Sequence, residues 1–224
     1  MTAAISNSNF RNVQPNQAPK FEATPQVESA PENQDSFEVQ LHISGVQDEK
    51  HPEAAESFNR NLLAKASEQA SNWQPPAGEG GGSFESFATP VYSDANLTVI
   101  DLSYEAYIAN TAHPSNAVDS FIYDRRTGKE AKLDDLFADK KHGREQLYGL
   151  IQEDLKRQGS EEAEFANYYI NSDSEDLSAF HPTKEGLAFM VPSERTGPYG
   201  AGVFEAVIPW SNLNLDPKGP LKQP

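Results

Sequence analysis

Apolar and polar residues alternate through "SFEVQLHISGV", with Phe37, Val39, Leu41 and Ile43 on one side and Glu38, Gln40 and His42 on the other. A period of two predicts a half-buried strand, which Gly45 closes. The period then lengthens. "HPEAAESFNRNLLAKASEQASNW" sets Ala55, Phe58, Leu62, Ala66 and Trp73 near one face of a helix, with Pro52 suited to its first turn. "QPPAGEGGGS" ends that helix and forms a loop. "SFESFATPVY" and "NLTVIDLSYEAYIA" predict a hairpin joined by Ser93, Asp94 and Ala95, with Ile100, Leu102, Tyr104, Ala106 and Ile108 on one face of its second strand. "AVDSFIYDRRTGKEAKL" adds a strand and a turn at Arg126, Thr127, Gly128 and Lys129, where Gly128 is free to take a positive φ. "DDLF" reads as a helical turn.

From Arg144 to Lys156, Leu147, Leu150, Ile151 and Leu155 recur at helical spacing, and Gly159 lies just past the expected end. "GSEEAEFANYYINSDSEDLSAF" has no period and is read as largely irregular. "FHPTKEGLAFMVP" and "GVFEAVIPWSNL" predict two final strands separated by the Gly/Pro-rich "SERTGPYGA". The order of elements predicts an α+β fold, a largely antiparallel sheet packed with two main helices. Residues 1–35 are Asn, Gln, Pro, Ser and Glu with few large apolar side chains, so they predict a disordered N-terminal tail.

Composition narrows the function. A chain of 224 residues makes one substantial domain, or two small ones sharing a core. Its formal net charge is −16, of which −14 falls after the tail. That disfavours nucleic acid or an anionic membrane surface as partner and favours a basic one, although acidity also serves solubility. The absence of cysteine excludes disulfides, thiolate metal sites and cysteine nucleophiles. No apolar run reaches membrane-spanning length, and the first residues lack the charged-then-apolar order of a secretory signal.

Chemical motifs are sparse. His51, His113 and His181 each precede proline, and no pair of histidines has the helical spacing of a zinc site. A His-Pro loop reads first as a rigid turn, with a three-histidine site assembled in space as the minority reading. Asp134 and Asp135 adjoin, which suits capping of a helix N-terminus better than carboxylate catalysis across a cleft. There is no nucleophile elbow, phosphate loop or dinucleotide fingerprint. Tyr199, between glycines in "TGPYGAG", can project from a recognition loop or pack back on the sheet. Arg125, Arg126 and Lys129 form a small basic tip to which no role is assigned.

The stretches "YEAYIANTAHPSN" and "FIYDRRTGKEAKLDDLF", followed by "GLAFMVPSERTGPYGAGVFEAVIPWSNL", resemble the RsiV-like extracytoplasmic domain family, collinearly from about Asp35 to Leu215. That domain occurs in a lysozyme-sensing bacterial anti-sigma factor and is attached to peptidoglycan deacetylases. The resemblance implies a domain over 36–217, with a smaller N-terminal part (36–110) and a C-terminal part (111–217). Asn110 and Thr111 replace the family's usual Gly-Gly before Ala-His-Pro. The sigma-binding segment and membrane span of an anti-sigma factor do not occur in these residues, so sigma regulation is not expected.

What the resemblance implies is an extracytoplasmic binding module without catalysis or cofactor. Its partner would be lysozyme, another basic protein or peptidoglycan. The loop positions select Asn110, His113, Pro114, Asn116, Pro198 and Tyr199 as binding residues, with no catalytic or metal-ligating residue. The competing expectations are a metal-dependent cell-wall hydrolase or deacetylase accessory enzyme using His113, His181 and an acid, and a structural envelope domain.

Overall fold

A computed structural model describes residues 36–76, 80–112, 114–158, 178–191, 204–216 and 221. The expected tail 1–35, residues 159–177 of the acidic stretch and the loop carrying Pro198 and Tyr199 lie outside the described residues. The alternating segment forms β1 (Phe37–Ile43), and helix α1 (Pro52–Trp73) carries the chain across to β2 (Gly82–Ser93). Because a helix makes this connection, β1 and β2 pair in parallel. β2 then turns into β3 (Leu97–Ile108), β3 into β4 (Ser115–Asp124), and β4 into β5 (Lys129–Ala131), all antiparallel. The result is a five-stranded sheet in the order β1-β2-β3-β4-β5.

After a 3-10 turn at Leu133–Leu136 come α2 (Lys140–Arg157) and the strands β6 (Phe180–Pro182), β7 (Gly186–Val191) and β8 (Phe204–Pro209). These strands form a separate three-stranded antiparallel sheet. The α+β class stands, with the sheet divided in two and one parallel pair within it. The two strands expected at the C-terminal end are three. Thr183 breaks "FHPTKEGLAF", its Oγ1 accepting from the N–H groups of Glu185 and Gly186 at 3.2 and 3.1 Å, so the chain reverses there.

Strand parity assigns the two cores. On one face of the five-stranded sheet, α1 buries Ala55, Phe58, Leu62, Ala66 and Ala70 against Leu41, Ile43, Phe84, Ala88, Ile100, Leu102 and Tyr123. On the opposite face, Leu97, Val99 and Ile122 meet the second sheet and α2 through Phe180, Leu187, Phe189, Ile208, Leu147, Ile151 and Leu155. The first half of β3 is therefore buried on both sides. Two helix details differ from the sequence expectation. Ala70, not Trp73, continues the buried stripe of α1, and Trp73 sits half-buried beside Tyr104. Helix α2 begins at Lys140, four residues before the first periodic leucines require it, because Asp139 accepts from the His142 N–H as N-cap.

Candidate functional site

Among the described residues the second layer covers only part of its face of the five-stranded sheet, and register fixes which rows it leaves open. Neighbouring strands place Glu38 beside Ser83 and Ser83 beside Tyr107. The next row is Gln40, Glu85, Glu105 and Asn116, and the row after it is His42, Phe87, Ser103 and Val118. These residues have the parity opposite to the one packed on α1. Phe87 and Tyr107 are 40% and 43% exposed, the large apolar side chains most open to solvent among the described residues. The His42 ring stacks on Phe87 at 4.8 Å, and its Nε2 lies 3.3 Å from Glu85 Oε1.

Glu85 and Glu105 stand directly opposite each other, a like-charge pairing that works against strand association. His42 offsets this only when protonated. A sheet that keeps paired carboxylates and bare aromatics on one face departs from what stability alone favours, and such departures concentrate where function is carried. Chemically the surface offers carboxylate acceptors, amides and aromatic faces, a set suited to cations, basic side chains and sugar hydroxyls.

At one end this face runs into the β3–β4 turn. Asn110 adopts φ 72°, a left-handed conformation that asparagine tolerates better than most residues, and is exposed. Ala109 N–H donates to Gly81 O at 2.8 Å, and both the N–H and the hydroxyl of Thr111 donate to Ile108 O. The Gly80–Gly82 segment thus lies against the turn, and a Cβ on Gly82 would fall 2.2 Å from Tyr107 O. Of the residues selected from the sequence, Asn110 and Pro114 lie in this turn and Asn116 lies on the open face opposite Glu105. His113, Pro198 and Tyr199 lie outside the described residues. The sequence selection missed Glu38, Glu85, Phe87, Glu105 and Tyr107. Alternation marked Glu38, Gln40 and His42 as outward, but nothing in it showed which polar faces a second layer leaves bare.

Where the face passes under the second layer it meets Asp101 and Ser120. The Ser120 hydroxyl donates to Asp101 Oδ1 at 2.5 Å and accepts from the Phe180 N–H at 2.7 Å. The Ser178 hydroxyl donates to Asp119 Oδ1 at 2.6 Å, and Gln69 of α1 donates to the other oxygen of Asp119 at 3.2 Å. Burial pushes the Asp101 carboxyl up to about 6, against the opposing Ser120 bond. The fold therefore favours the protonated acid, so Asp101 weakens the protein as pH rises from about 4 through about 6. His181, whose pKa burial lowers, acts in the opposite direction by gaining stability as pH rises. Comparison of Asp101→Asn with wild type cancels the His181 contribution. The variant is expected to be more stable at pH 7 by on the order of 2 kcal/mol, with the gap closing toward pH 4. Urea unfolding across that range measures it, and a gap independent of pH would refute the assignment.

The remaining motifs take structural roles among the described residues. Arg126 binds Asp124 through Nε and an Nη at 3.0 and 2.9 Å, and Arg125 donates to Thr98 Oγ1 and Gln47 O. Asp135 accepts from the Lys132 N–H at the head of the 3-10 turn, and Asp134 pairs with Arg144 at 3.4 Å. The His51 ring is held by Asp48 at 3.0 Å. No group of three or more His, Asp or Glu side chains converges to hold a metal among the described residues, and no described helix is long and apolar enough to cross a membrane.

Residues 134–211 match the family model described as "Protein of unknown function (DUF3298)". That segment carries α2 and the second sheet, and the open face lies upstream of it. No curated protein matches the chain significantly. Among solved structures, a DUF3298 family protein from Pseudomonas aeruginosa PAO1 aligns with a TM-score of 0.58 at 18% identity, covering 80% of this chain and 86% of its own. A member of the same family from Bacteroides fragilis NCTC 9343 aligns with a TM-score of 0.55 at 16% identity, covering 77% and 81%. The chain thus shares its fold with DUF3298 proteins, and its segment 134–211 matches the model of that family of unknown function.

Proposed function

We propose that the protein is a non-catalytic binding module of the bacterial envelope whose ligand is a basic protein of the lysozyme type. The ligand would be held on the open face of the five-stranded sheet and the adjoining β3–β4 turn. The observation that carries the reading is the juxtaposition of exposed Phe87 and Tyr107 with Glu38, Glu85 and Glu105 on one face that the described residues leave open. Aromatic side chains supply contact area at small entropic cost, and the carboxylates supply charge complementarity to lysine and arginine. The net charge of −16 would add long-range attraction to a cationic partner and make the encounter sensitive to salt. The extracytoplasmic location and the lysozyme class rest on the sequence resemblance.

The test is a titration of the full chain against an animal-type lysozyme, by calorimetry and by a wall-lysis assay, at low and moderate salt. Binding that weakens with salt and slows lysis is expected. Tyr107→Ala and Glu105→Lys, both at exposed positions, should each weaken it by about tenfold or more without changing the melting temperature. His113→Ala and Tyr199→Ala in the same assay test whether the contact extends to the other loop positions. Binding of peptidoglycan fragments with the same mutational pattern would replace the protein ligand by a glycan. Binding of neither would leave a structural envelope domain.

A further inference from the structure

The outer edge of β1 carries an inference independent of that ligand. Among the described residues β1 pairs only with β2 and ends the five-stranded sheet. Gly82 N–H donates to Ser36 O at 3.0 Å and Ser44 N–H to Ala88 O at 3.1 Å, so the even-numbered peptide groups of this strand face β2. The N–H and C=O groups of Phe37, Val39, Leu41 and Ile43 therefore point away from the sheet. Edge strands are usually blunted by lysine, proline or a bulge, and "FEVQLHI" contains no lysine or proline and pairs without a register shift.

We infer that β1 is a self-association edge, pairing antiparallel with the β1 of a second copy about a two-fold axis through Gln40. The register follows from the sequence. With Gln40 opposite Gln40, Phe37 meets the partner's Ile43 and Val39 meets the partner's Leu41. These are the residues whose peptide groups point outward, so they become the hydrogen-bonded pairs. Glu38 then meets the partner's His42 in a non-hydrogen-bonded pair, where side chains approach more closely. The strand is self-complementary in apolar pattern and in its Glu38–His42 match about its centre, as an isologous contact requires. Phe37 and Val39, half-buried in one copy, gain cover on the α1 side. The two sheets become one, and the open faces of both copies become continuous.

Sedimentation equilibrium of the full chain tests this. A dimer is expected that tightens with added salt, because two chains of net charge −16 repel; the proposed contact with a basic ligand has the opposite salt dependence. Gln40→Lys sets two ammonium groups face to face on the axis and should yield a monomer with unchanged circular dichroism and melting. His42→Glu sets a glutamate opposite Glu38, and the double variant Glu38→Lys/His42→Lys sets lysine opposite lysine, so each should also be monomeric, while their equimolar mixture should form a heterodimer. A wild-type chain that is monomeric at every concentration, a dimer that survives Gln40→Lys, or a mixture that does not associate would each overturn the inference.

Discussion

Asp48→Ala is expected to cost on the order of 3 kcal/mol, measured as a fall in the urea midpoint at pH 7 with little change in slope. Asp48 lies in the loop between β1 and α1 and is buried. Its Oδ1 accepts from the N–H groups of Lys50 and His51 at 2.9 and 3.3 Å, and its Oδ2 from His51 Nδ1 and the Tyr123 hydroxyl, both at 3.0 Å. Helix α1 has no side-chain cap of its own at His51, so this carboxylate orders the entry to the helix. Removing it also strands the hydroxyl of Tyr123, which has no exposed surface.

A buried donor left without an acceptor costs about 1–3 kcal/mol, whereas deleting both partners is far milder. Adding Tyr123→Phe to Asp48→Ala should therefore recover part of the loss, and a double variant weaker than the single one would refute the account. The effect also has a pH signature. Burial acts to raise the Asp48 carboxyl, yet the hydrogen bonds from His51, Lys50 and Tyr123 together hold it below its usual range. Its contribution is thus fully present above its ordinary pKa and is lost as pH falls through the lowered one, so wild type and Asp48→Ala should converge in acid.

Gly186→Ala is expected to be at least as damaging, by about 3 kcal/mol or more, and the damage should fall on the second sheet. Gly186 opens β7 opposite Pro209 of β8. A Cβ there would lie 2.0 Å from Ile208 O and 2.9 Å from Pro209 Cα, and these backbone atoms can yield only by separating the strands. The Thr183 turn would separate with them, since Thr183 N–H donates to Gly186 O at 2.8 Å and Thr183 O accepts from Trp210 Nε1 at 3.1 Å. The two tryptophans report on different places, Trp73 at the end of α1 and Trp210 after β8.

Fluorescence of Trp73→Phe and Trp210→Phe backgrounds should therefore show the Gly186→Ala perturbation mainly at Trp210. Gly149→Ala is the internal control. It lies inside α2 with open space around the added methyl, so it should stabilise by about 0.5–1 kcal/mol through helix propensity. Equal loss from both glycine substitutions would show that steric fit at Ile208 is not the cause.

Much of this architecture was legible before any coordinates. Alternation placed β1, β2 and β3, and helical spacing placed α1 and the leucine stripe of α2. The turn at Gly128, with φ 68°, followed from the need for a residue that accepts positive φ. These are local properties, set by side-chain periodicity and backbone sterics, and a chain cannot hide them. The candidate site was less legible. Asn110, Pro114 and Asn116 were selected as loop residues, although Asn116 lies in β4, while Phe87 and Tyr107 read as ordinary strand residues.

Sequence alone determined the period of each main element, the α+β class, the charge that favours a basic partner, and the absence of cysteine chemistry. Tertiary structure decided that β1 joins in parallel, that the C-terminal strands form their own sheet, and that this second layer stops short of the rows from Glu38 to Tyr107 and from His42 to Val118. The physical reason is that alternation specifies two faces for a strand but not what covers them. Coverage depends on segments distant in sequence, and here it leaves an acidic, aromatic surface open among the described residues and β1 at the sheet's end.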